Sequence, residues 1–353
     1  MELQLTWGWQ PALYLFLGGL GAGAFVVAAC LYLFGKDERR RALGVVSWAA
    51  FGCLVVGLLL LLTELIFPLR GLMMWQSFSN PTSWMTIGAW LLFVTVVFIL
   101  VAAVTLTDPL AKRLKLDGKT SLTRVCFIVG GVLSLGVAMY TGILLMNAPG
   151  VPLWNTLWLP CLFTVSALDT GVALNEIVFC AVEKKLAPKL HKVLAVSTVA
   201  LVVVEALVVL ALLGAMSSGG GYELESYSLA AERSADVLVS GQLSGWFWAA
   251  FVGLGLMVPL VCAVVALVRG RKKDGAGGAV EKVGVSSEAV CGADAADAPG
   301  ASAGTVSVGA EDSTLTWVSA VSVLVGGCTL RFLILLAGVH ADVLAIEVAK
   351  LVL

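Results

Sequence analysis

The sequence predicts an all-α polytopic membrane protein with about eight transmembrane helices. Three observations carry that expectation: the composition is too apolar for a water-exposed fold, the apolar runs have membrane-spanning length, and basic residues fall in alternate connections. Of 353 residues, 59% are hydrophobic and 13% charged, with a mean hydropathy of +0.99, against about 25% charged in ordinary soluble domains. A helix of about 20 apolar residues crosses the hydrocarbon core, because lipid offers backbone groups no hydrogen bonds and a helix satisfies its own.

Apolar runs between charged or turn-rich breaks place helices over residues 11–35, 42–66, 82–107, 122–146, 154–182, 190–215, 243–268 and 314–338. Odd-numbered connections hold Lys36, Arg39, Arg40 and Arg41, then Lys112, Arg113, Lys115 and Lys119, then Lys184, Lys185, Lys189 and Lys192, then Arg269, Arg271, Lys272, Lys273 and Lys282. Even-numbered connections are nearly free of them, so the positive-inside rule sets both termini outside. Trp7, Trp9, Trp75, Trp84, Trp154, Trp158, Trp246 and Trp248 all fall at the outer interface, where an amphipathic indole prefers to sit.

Three divisions follow: 1–268 with the first seven helices, 269–313 as a disordered cytoplasmic loop, and 314–353 as the eighth helix with an outer tail. The loop is rich in Ala, Gly, Ser, Val and Asp without an apolar helical period. The outer connection 216–242 carries Glu223, Glu225, Glu232, Arg233 and Asp236 and reads either as a docking surface or as a solvated loop. The opening MELQLTWGWQP lacks the basic n-region of a cleaved signal, so the first helix is expected to be retained.

Net charge is −1, which gives nucleic acid no electrostatic footprint. The eight cysteines show no CxxC spacing and read as packing residues, with no metal in this chain. Of the two histidines, His191 lies in a basic cytoplasmic connection and His340 beyond the last helix. A transmembrane haem needs paired axial ligands, usually histidines, on facing helices, so no haem is expected.

Four stretches, WGWQPALYLFLGGLGAGAF (7–25), NPTSWMTIGAW (80–90), YTGILLMNAPGVPLWNTLWLPCLFTVSALDTGVAL (140–174) and RFLILLAG (331–338), resemble the NrfD-type membrane subunits of polysulfide reductase and related molybdopterin oxidoreductases. The resemblance implies a haem-free protein of the cytoplasmic membrane of a prokaryote that exchanges electrons between menaquinone or ubiquinone and an outward-facing, ferredoxin-like iron–sulfur subunit, itself joined to a molybdopterin catalytic subunit. Two four-helix bundles are the expected arrangement. The chain is not expected to turn over alone. The family's Asp-Leu-Gly-Arg-Pro run is altered here to Glu64, Leu65, Ile66, Phe67, Pro68, Leu69 and Arg70.

A quinone site needs an apolar slot, hydrogen-bond partners for two oxygens and a path for protons. The outer ends of the first four helices offer Tyr140, whose counterpart the family implicates in quinone binding, together with Glu64 as a proton acceptor and Trp9, Gln10, Tyr14 and Trp84 as lining residues. Gly19 and Gly23 form a small-residue pair suited to close helix packing. Asp169, Glu176, Glu205 and Arg331 fall deep in apolar runs, where each would cost roughly 2.5 to 3.5 kcal/mol against lipid. They therefore read as a proton file or as ion pairs that fix packing. A secondary transporter and a purely structural anchor are the alternative functions, the first of which calls for paired broken helices.

Overall fold

The computed structural model describes residues 7–35, 40–64, 83–116, 119–148, 150–183, 188–222, 224–269 and 308–341. Its helices are α1 (Trp9–Phe34), α2 (Arg40–Glu64), α3 (Trp84–Leu106), α4 (Asp108–Arg113), α5 (Thr120–Met146), α6 (Trp158–Glu183), α7 (Pro188–Ser217), α8 (Glu225–Val239), α9 (Trp246–Arg269) and α10 (Val308–Leu336). All but the short α4 and α8 are long and apolar enough to cross a membrane, eight in number among the described residues. The protein is a multi-pass membrane protein. The span 269–313 read as a disordered loop lies almost wholly outside the described residues, and α10 begins at Val308 instead of 314.

The spanning helices form two four-helix bundles around two apolar cores, to each of which the other bundle also contributes, through Leu15 and Leu145 on one side and Ala167 and Phe179 on the other. Ala28, Val46, Ile99, Phe127 and Ala138 tie together α1, α2, α3 and α5. Leu162, Leu212, Phe251 and Leu333 tie together α6, α7, α9 and α10. The bundles share a seam in which α1 packs on α6, and small residues make it possible. A Cβ on Gly23 would stand 1.8 Å from the Ala167 carbonyl oxygen, and one on Gly171 would stand 2.3 Å from the Gly23 carbonyl carbon. With no side chain between them the backbones touch, gaining the dispersion contacts that drive helix association in lipid.

The segment Trp246–Met257 of α9 is wound as a π-helix. It brings Gly255 against Gly326 of α10, whose Cα lies 2.6 Å from a Cβ built on Gly255. The connection 216–242 is not a simple loop. Gly219, Gly220 and Gly221 turn the chain with φ of +81°, +69° and +72°, values that only glycine adopts readily, and α8 follows. Ser226, Ala230, Ala231, Ser234, Ala235 and Leu238 form its buried face, and Ala231, Ala235 and Leu238 join the core of the second bundle.

The tryptophan layer divides. Trp9, Trp84, Trp158, Trp246 and Trp248 are exposed as an interfacial belt requires, whereas Trp75 lies outside the described residues. Trp154 departs from the expectation. It is buried, donates its indole N–H to the Ile334 carbonyl at 2.9 Å, and packs against Trp7 with ring centroids 5.5 Å apart. A buried indole needs an acceptor, and the last turn of α10 provides one. His191 falls in the first turn of α7, not outside a helix, within 3.2 Å of Thr316 Oγ1.

Candidate functional site

The end of the first bundle that carries Trp9 and Trp84 holds an open apolar groove of about 390 Å³ between α3 and α5, lined by Thr86, Ile87, Trp90, Leu91, Val94 and Leu133. Tyr140 lies seven residues after Leu133 on α5, two turns along the same helix face, and so stands at the tryptophan end of the groove. Its hydroxyl donates to the Trp84 carbonyl at 3.0 Å. The contact depends on Gly88, because a Cβ there would fall 1.8 Å from Tyr140 Cζ and 2.1 Å from its hydroxyl oxygen. The signal for Gly88 was a glycine in an apolar run on the helix that the tyrosine faces, and sequence reasoning missed it.

The remaining residues named from the sequence distribute unevenly. Trp84 contributes its backbone carbonyl to the Tyr140 contact, and its indole is exposed. Trp9, Gln10 and Tyr14 lie on α1, which packs on α2, α5, α6 and α10, and none of the three lines the groove. Trp9 is exposed, Gln10 half-buried, and Tyr14 packs against the core of the second bundle. Glu64 is the last residue of α2, and its side chain lies outside the described residues.

A second polar assembly occupies the interior of the second bundle. Arg331 of α10 is fully buried. Its guanidinium donates through Nη1 to the Ser166 hydroxyl and to the Gly327 carbonyl (3.1 Å), and through Nη2 to the Phe163 carbonyl (3.3 Å); it stands 5.0 Å from the Phe163 ring centroid. Gly19 of α1 makes room for it, since a Cβ there would lie 3.1 Å from Nη2. Glu205 of α7 interacts with the same Ser166 hydroxyl and with the Arg331 charge.

Asp169 and Glu176 of α6 are also buried, at 2% and 6% exposure. Asp169 feels the charges of both Glu205 and Glu176, so all four residues named from the sequence belong to one electrostatically connected group. Asn175 joins it on the same helix, donating to the carbonyls of Ala24 (3.0 Å) and Gly171 (2.8 Å) and thereby bonding α6 to α1. Asp169 Oδ1, Glu205 Oε1 and Asn175 Oδ1 are buried acceptors without a hydrogen-bond donor among the described residues. Three carboxyl groups thus stand against one guanidinium, and no group of three or more His, Cys, Asp or Glu side chains suited to a metal ion occurs among the described residues.

Above this assembly, Tyr222 points its hydroxyl at the carbonyls of Pro152 (3.0 Å) and Asn155 (2.7 Å), fastening the connection between α5 and α6 to the one that precedes α8. Burial, and to a lesser degree the neighbouring Tyr227, pushes the Tyr222 phenol up from its ordinary range. It therefore stays a hydrogen-bond donor over a wide range of pH.

Comparison with known proteins agrees with this architecture. Residues 1–274 match the family described as polysulphide reductase, NrfD. The protein is similar to the C subunit of polysulfide reductase from Wolinella succinogenes, 33% identical over 289 residues that cover 76% of this sequence and 86% of that protein. It is also similar to protein NrfD of Escherichia coli, 28% identical over 277 residues that cover 73% of this sequence and 84% of that one. With eight spanning helices in the same chain as the matched region, the protein belongs to the polysulphide reductase NrfD family.

Proposed function

We propose that this chain is the quinone-reactive membrane subunit of a redox complex in the cytoplasmic membrane of a prokaryote. It would exchange electrons between menaquinone or ubiquinone and an iron–sulfur subunit docked at its tryptophan-rich outer face, which serves a molybdopterin catalytic subunit. The observation that carries the reading is the groove between α3 and α5 with Tyr140 at its end. Its volume lies in the range of small-molecule sites, its walls are apolar, and the surrounding lipid is the phase in which a prenylated quinone dissolves. The family relationship to a polysulfide reductase subunit supports membership of such a complex.

A bound quinone would supply two-electron, two-proton chemistry, and the protein residues would position it and handle protons. Tyr140 donates its one O–H to Trp84, so in this arrangement its oxygen is free to accept from a quinol hydroxyl and thereby to favour the reduced form. Asp169, Glu176 and Glu205 provide three carboxyls, and Arg331 is the one buried cation set with them among the described residues. One carboxylate can be balanced by that cation, and the other two have the capacity to take up and release protons along the interior of the second bundle. The spans are continuous helices among the described residues, which favours this reading over a transporter with broken helices.

The test is titration of the purified assembly in lipid nanodiscs with a fluorescent quinone analogue. Saturable binding is expected in the wild type, with at least a tenfold weakening in Leu133→Trp, which fills the groove. Absence of binding, or binding indifferent to that substitution, removes the proposal.

A further inference from the structure

We infer that the basic end of the first bundle holds the headgroup of an anionic phospholipid between the start of α2 and the short helix α4. Four features converge there. The chain leaves α3 at Thr107, turns, and forms the six-residue α4, whose single buried side chain is Ala111. Leu110 and Leu114, one turn apart on that segment, are 38% and 57% exposed, and Lys112, Arg113 and Lys115 surround them, all exposed. Leucines at this spacing ringed by cations describe a segment lying in the plane of a membrane interface, its apolar side in the acyl region and its charges at the level of the phosphates.

The second feature is placement. Arg40, at the start of α2, reaches the Thr105 carbonyl at 3.5 Å, which sets its guanidinium beside the end of α3 and next to α4. The Trp48 indole N–H donates to Thr107 Oγ1 at 3.0 Å, fixing α2 to the same corner. Arg41 is exposed alongside.

The third is charge. Arg40, Arg41, Lys112, Arg113 and Lys115 are cationic, whereas Asp108 is the one carboxylate among the described residues of these segments. Such an excess is stabilised by phosphate diesters of the neighbouring leaflet, and basic sites between transmembrane helices at this level select anionic headgroups. The fourth is the surrounding apolar surface: Val45 on α2 and Phe34 at the end of α1 are 45% and 89% exposed, giving acyl chains a surface beside the cations. Soluble anions gain nothing from the exposed leucines and Phe34, so a phospholipid is favoured over free phosphate.

The experiment is native mass spectrometry of the detergent-purified full-length protein after incubation with equimolar phosphatidylglycerol and phosphatidylcholine, run on the wild type and on a Lys112→Gln, Arg113→Gln, Lys115→Gln triple variant. A Leu110→Ser, Leu114→Ser variant and an arm with millimolar inorganic phosphate complete the set. The expected result is retention of phosphatidylglycerol over phosphatidylcholine by at least tenfold in the wild type, reduced at least fivefold by the charge variant and reduced also by the leucine variant, with inorganic phosphate unable to compete. Equal retention of the two lipids overturns the proposal. So does selectivity that survives the charge variant while its thermal stability matches the wild type, and so does displacement by inorganic phosphate, which would make the site one for a free anion.

Discussion

The glycine seam between the bundles allows a prediction with a worked magnitude. In Gly23→Ala the new methyl would stand 1.8 Å from the Ala167 carbonyl oxygen and 2.5 Å from its carbon. Both are backbone atoms in mid-helix, so no rotamer change relieves the clash, and α1 must retreat from α6 by roughly 1.6 Å to restore ordinary contact. A retreat of that size opens the seam along its length, with Gly171 facing Gly23 from the other side. Overpacking of this kind costs about 1 to 3 kcal/mol, and an unyielding backbone places it toward the upper figure. Replacing glycine by alanine returns about 1 kcal/mol of helix propensity, leaving a net loss of about 2 kcal/mol. Gly52 of α2 is the matched control, because a Cβ there meets nothing within 4 Å, and Gly52→Ala should be neutral or stabilising by up to about 1 kcal/mol. Thermal unfolding of the three proteins in one detergent, followed by size-exclusion fluorescence, should rank Gly52→Ala at or above wild type and Gly23→Ala clearly below it. If the two variants melt together, direct backbone contact at the seam is not what holds the bundles.

Other expectations concern the polar groups. Arg331→Leu should cost about 3 to 5 kcal/mol, the range for removing one partner of a buried charged network, because Ser166, the Phe163 and Gly327 carbonyls and Glu205 all lose their cation; a variant with wild-type melting behaviour would contradict the assignment. Gly88→Ala should push the Tyr140 ring aside and weaken quinone-analogue binding at least as much as Tyr140→Phe, which keeps the ring in place and loses the hydroxyl that bonds Trp84 and offers its oxygen to a quinol; binding unchanged in both would dissociate the tyrosine from the groove. The double variant Asp169→Asn, Glu176→Gln should alter proton uptake by reconstituted liposomes while quinone binding persists, and an unaltered proton stoichiometry would exclude the interior file. For Tyr222 the phenol is raised in the folded protein, so its contribution is complete below the unfolded value of about 10 and fades as pH climbs through the higher folded value. Stability measured between pH 9 and 12 should therefore fall less steeply in Tyr222→Phe, and identical slopes would rule out the hydroxyl as the titrating group.

Much of the fold was legible because lipid imposes a strict accounting on apolar length and charge, so hydropathy found each of the eight spans present among the described residues. Arg331 and Glu205 stood out as charges deep in apolar runs, and the structure sets both beside Ser166. What escaped was set by fit between elements. Trp154 looked like any interfacial indole, and only the Ile334 carbonyl across the bundle makes it a core residue. The helix α8 did carry a signal, small residues at Ser226, Ala230, Ala231, Ser234 and Ala235, but they are too weakly apolar to register beside transmembrane runs. The π-winding of α9 over Trp246–Met257 accompanies the contact of Gly255 with Gly326, a pairing between helices that a reading of one segment does not reveal. Gly88 became informative only once α3 and α5 were known to be neighbours.

Arg331 sits on α10, which leaves the ribosome after α6 and α7, where Asp169, Glu176 and Glu205 reside. During synthesis three acidic side chains must therefore wait in the bilayer for a cation that arrives about 130 residues after the last of them, time enough for water or the insertion machinery to shelter them. Arrival of α10 is then the event that seals the second bundle and, through Gly19, fixes it to α1. A chain truncated ahead of α10 would be an obvious target for membrane proteases.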